Sequence, residues 1–127
     1  MQVYHGNFEH LSFTKTGKDI IEKANRLIEW HVAKIEDRKK RCDTLRTDLG
    51  METPMDVLLS MDEIAHVQYS NGARPEHQIG RLSALKHEVA AIQKQEAEVT
   101  RLRLIVRNLD PAGSFNLDFA ELTYFGF

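Results

Sequence analysis

The sequence predicts a mainly α fold: a long antiparallel helical hairpin of coiled-coil type, with a short third helix at its turn and β-like tails at both ends. Three observations predict it. Two long segments carry a heptad pattern, a shorter capped segment lies between them, and toward both ends the helical period disappears. The chain has 127 residues, which fits a single domain, 1–127. With 42% hydrophobic and 28% charged residues it has a globular rather than a disordered balance.

The first long segment is defined by Ile21, Ala24, Ile28, His31, Ile35, Arg38, Cys42, Leu45 and Leu49, spaced alternately by three and four. That is a coiled-coil seam with polar residues, His31 and Arg38, at two places where an apolar side chain is expected. Such residues set register or oligomer state at some cost in stability. Arg38 is expected to extend its head to solvent or to pair with an acid of the facing helix, Glu88 or Glu96. Gly17, with threonines before it, marks the start and Gly50 the stop.

The second long segment carries Leu82, Leu85, Val89 and Ile92, then Val99, Leu102, Val106 and Leu109, with a slip of phase at Gln95 or Glu96. Pro75 opens it and Asp110-Pro111 closes it. Between the two, Thr53-Pro54-Met55-Asp56 reads as a helix start with Thr53 as N-cap. The segment is one helix from about Pro54 to Tyr69, ended by Asn71-Gly72, or a turn followed by a second short helix capped by Ser60 and Glu63. In the C-terminal tail, 115–127, Phe115, Leu117, Phe119, Phe125 and Phe127 alternate with other residues as on a half-buried strand. The N-terminal tail, 1–13, has β-type residues and no helical period. A hairpin brings both tails to one end, where they can pair; the rival is an up-down-up three-helix arrangement.

Charge and composition narrow the function classes. Net charge is −2, so no global field favours nucleic acid or an anionic membrane. No apolar run approaches membrane-spanning length, and no apolar leader follows Met1. The single cysteine, Cys42, has no CxxC partner, sits among seam leucines and reads as a buried inert thiol of a cytoplasmic protein. A nucleic-acid reading would use the collar from Arg38 to Arg46 with Arg101, Arg103 and Arg107; Arg38-Lys-Lys-Arg41 point in four directions on a helix, so they form no single patch.

Two features point to chemistry or binding. Glu63 and His66 have the Glu-x-x-His spacing by which helical di-iron sites aim two ligands at one metal. No second such pair exists in the chain, so a ferritin-like bundle would need its site completed across a dimer. The aromatic tail must be buried, either on its own helices or on another chain. With no complete catalytic set and no implied cofactor, the leading expectation is a non-enzymatic protein–protein interaction module. It would be an adaptor, assembly factor or small inhibitor, a homo-oligomer, acting through its seams and through Phe115, Leu117, Phe119, Phe125 and Phe127.

Overall fold

Helix α1 spans Gly17–Leu49, the bounds that Gly17 and Gly50 foretell, in a computed structural model that describes residues 12–61 and 67–127. Gly50 ends it at φ +73°, a left-handed conformation that favours glycine. After α1 come α2 (Met55–Leu59), one 3-10 turn at Pro75–His77 and α3 (Ile79–Asn108). Strands β1 (Ser12–Thr16) and β2 (Ser114–Asp118) flank the long helices, and α4 (Phe119–Phe125) follows β2. Helix α1 packs antiparallel on α3, and β1 and β2 pair as a small antiparallel sheet in which Phe13 faces Leu117 and Thr14 faces Asn116; residues 1–11 of the N-terminal tail lie outside the described residues.

Contacts group the chain into two compact units, Met1–Trp30 with Thr100–Phe127, and His31–Val99. In the first, Ile20 and Ala24 of α1, Leu102 of α3, Leu117 of β2 and Leu122 and Phe125 of α4 form one buried cluster. Gly17 is needed where α1 begins: a Cβ there would lie 1.8 Å from the carbonyl oxygen of Asp110. The backbone bonds Gly17 N–H to Gly113 O and Lys18 N–H to Pro111 O hold that close approach.

In the second unit, Ile35, Cys42 and Leu49 of α1 and Leu85, Val89, Ile92 and Val99 of α3 are buried, as the heptads require. The link after α1 is held by side chains. The guanidinium of Arg46 donates to the carbonyls of Met51 and Thr53 while also binding Asp43. From α3, Gln93 Nε2 donates to the carbonyls of Leu59 and Met61. Met51 and Tyr69 form an antiparallel bridge, and burial raises the pKa of the Tyr69 phenol.

Several local expectations give way to these contacts. The tail is a strand only to Asp118, because Asp118 and Glu121 form a reciprocal capping box and start α4. The continuous helix from Pro54 to Tyr69 does not form: α2 stops at Leu59, and Ser60 is its C-cap, donating its hydroxyl to Val57 O. Thr53 does not cap α2; its buried hydroxyl oxygen accepts the amide of Gln68. Asn71-Gly72 is a turn in the link rather than a helix stop. In the first turn of α1 it is Ile20, not Ile21, that is fully buried.

Candidate interaction surface

The sheet of the first unit has two unlike faces. Phe13 and Lys15 of β1 stand opposite Leu117 and Phe115 of β2 and share one face. Leu117 on that face is buried and Phe115 half-buried, so this side covers the core. The other face carries Thr14, Thr16, Ser114, Asn116 and Asp118, and there Thr14 Oγ1 donates to Asn116 Oδ1 at 2.9 Å.

The aromatic tail divides accordingly. Leu117 and Phe125 fill the core of their own unit, Phe115 packs against it, and Phe119 and Phe127 remain 46% and 38% exposed. Phe13, contributed by the other tail, is 42% exposed. The Lys15 and Lys23 ammonium groups lie 5.0 and 5.6 Å from the centre of the Phe127 ring, a cation–π arrangement that fixes the ring at the surface. Arg101 covers Tyr124 at 4.9 Å, and Tyr124 meets Phe125 edge-on. Phe13 escaped the sequence reading, although its alternation with Lys15 in Ser-Phe-Thr-Lys-Thr carries the signal.

The polar seam positions lie in the second unit. Arg38 Nη1 donates to Glu88 Oε2 at 2.9 Å, and Arg41 Nε lies 3.5 Å from Glu88 Oε1, so one largely buried carboxylate holds two arginines. Lys39 approaches Glu96 at 3.6 Å. His31 Nδ1 lies 3.4 Å from Gln95 Nε2, so the seam histidine meets α3 where the heptad phase slips. Cys42 is fully buried, and its pKa is pushed up to about 11 by burial and by the Glu88 carboxylate, against the opposing pull of Arg41 and Arg38. Its thiol is therefore protonated at neutral pH and a poor nucleophile.

Glu63 and His66 fall outside the described residues, among which no group of three or more His, Cys, Asp or Glu side chains is placed to hold a metal. Among the same residues no helix is long and apolar enough to cross a membrane. Compared with protein-family models, curated proteins and solved structures, the chain matches none.

Proposed function

We propose that this protein is a non-enzymatic protein–protein interaction module, an adaptor, assembly factor or small inhibitor, that self-associates and acts in the cytoplasm. The observation that carries this reading is the exposure of Phe13, Phe119 and Phe127 in a unit whose core is already filled by Leu117, Leu122 and Phe125. Aromatic rings held at a surface by packed neighbours lose little conformational freedom on binding and serve as anchors. The basic collar of α1 supports a protein rather than a nucleic-acid partner, because Arg38, Lys39, Arg41 and Arg46 all have acidic neighbours. The buried, protonated Cys42 thiol fits a structural rather than a catalytic role.

The test is affinity capture from the source organism with the full chain and with a Phe13→Ser/Phe119→Ser/Phe127→Ser variant of unchanged helicity. Proteins held by the first and lost by the second are then purified and titrated pairwise. A partner whose affinity falls at least about a hundredfold with the variant supports the reading. Partners that bind both forms equally, or no partner and no self-association, contradict it.

A further inference from the structure

We propose that the outer edge of β1 is a self-pairing edge, on which a second copy of this chain adds its own β1 antiparallel about a two-fold axis through Thr14. The inference rests on the proposed binding role and names its partner.

The direction of the edge groups follows from the ladder. In an antiparallel pair, residues alternate between those that exchange backbone bonds with the partner strand and those whose N–H and C=O point away from it. Gly17 N–H bonds Gly113 O in continuation of the β1–β2 register, so Lys15 and Phe13 are the inward-bonded residues of β1. The other end agrees: the N–H of Asp118, opposite Ser12, goes to Glu121 Oε1 instead of to β1. The backbone N–H and C=O of Thr14 therefore point to the outer edge, and among the described residues the sheet has only its two strands. The β2 edge is the poorer template, because the capping box already takes the Asp118 amide.

The sequence of β1 fits itself. Pairing about Thr14 sets Thr14 against its copy, and Phe13 against Lys15 of the second copy. No like charges meet. The Lys15 ammonium already rests on the Phe127 ring at 5.0 Å, so it lies on the face where the second copy's exposed Phe13 would arrive. The resulting four-stranded sheet uses the outward bonds of Thr14 and extends one aromatic and cationic face across both copies. Further strand addition would have to use the outer edge of β2, where the capping box already takes the Asp118 amide.

Two matched prolines test this. Thr14→Pro removes the outward N–H of β1 and no backbone bond of the β1–β2 ladder; Asn116→Pro does the same on the outer edge of β2, and both equally remove the Thr14–Asn116 side-chain bond. Sedimentation equilibrium of the full chain should show a dimer for the natural sequence and for Asn116→Pro. Dimerisation by Thr14→Pro should be at least about tenfold weaker, with unchanged helicity. Thr14→Lys, which leaves the backbone intact, should also weaken the dimer by opposing two ammonium groups, and added salt should restore part of the affinity. A natural chain that stays monomeric at high micromolar concentration, or a dimer that survives both Thr14 variants, overturns strand pairing. If such a chain still binds another protein through Phe13, Phe119 and Phe127, the proposed interaction role stands and only self-association falls.

Discussion

The two compact units fill the space between α1 and α3 differently, although both bury apolar side chains. In the unit of the chain ends, the buried cluster among the described residues is apolar and is completed by β2 and α4, which bring Leu117, Leu122 and Phe125 onto Ile20, Ala24 and Leu102. In the unit of residues 31–99, the seam takes in a carboxylate with two arginines, a thiol, and a histidine beside a glutamine. The first arrangement gains by burying area and leaves aromatic rings over at its surface. The second also buries apolar side chains, Ile35, Leu49, Leu85, Val89 and Ile92 among them, and adds polar contacts that a slip of α1 along α3 would break, stranding Glu88 without Arg38. The proposed binding role falls to the unit of the chain ends, and the proposed alignment role to residues 31–99.

The comparison breaks first if the apolar cores are not equally tight. Leu102→Ala and Leu85→Ala each remove a fully buried side chain, one per unit, and each should lower the unfolding free energy by about 2–5 kcal/mol in urea titrations. A cost well below this in either would mean that its unit is loosely packed. Next comes Glu88→Ala, which leaves Arg38 part-buried without its carboxylate and should cost about 1–3 kcal/mol. It should also lower the Cys42 pKa toward the value that burial alone sets, since the Glu88 carboxylate adds to that rise.

Alkaline pH should act on the polar unit. The Cys42 pKa is raised in the folded state, so the folded protein holds that proton more tightly than the unfolded chain does. The stabilisation is complete below pH 9 and is lost as pH rises toward about 11; the Cys42→Ser variant should show a flatter stability profile over that window. Smaller still is Asp118→Ala. It removes the capping box of α4 and should cost about 1 kcal/mol, read as a lower melting temperature with Phe127 more open to solvent. Lys39→Ala, at a half-exposed pair with Glu96, should change stability by less than about 0.5 kcal/mol.

What the sequence made legible depends on how local each cause is. The limits of α1 and the buried faces at Ala24, Ile35, Cys42 and Leu49 follow from spacing and from glycine, whereas for Arg38 spacing leaves solvent, Glu88 and Glu96 open and the packing of the helices selects Glu88. The end of β2 was equally local, since Asp118 and Glu121 stand at capping-box spacing, but the alternation of phenylalanines masked it. Leu122 and Phe125, three apart, fit a helix as well as a strand. Thr53 was illegible for another reason: its hydroxyl is engaged by Gln68, fifteen residues away, and no local rule foresees that. The candidate surface was half legible. The tail's apolar character is plain in the sequence, but which rings are buried and which stay exposed is decided by the helices they meet.

Amide hydrogen exchange of the full chain over a dilution series tests the division of labour most directly. The expected result is protection at β1, centred on Thr14, that grows with protein concentration, while the amides around Arg38 and Glu88 exchange at one rate throughout. Protection that changes with concentration only within residues 31–99, or nowhere, would contradict the assignment of binding to the unit of the chain ends.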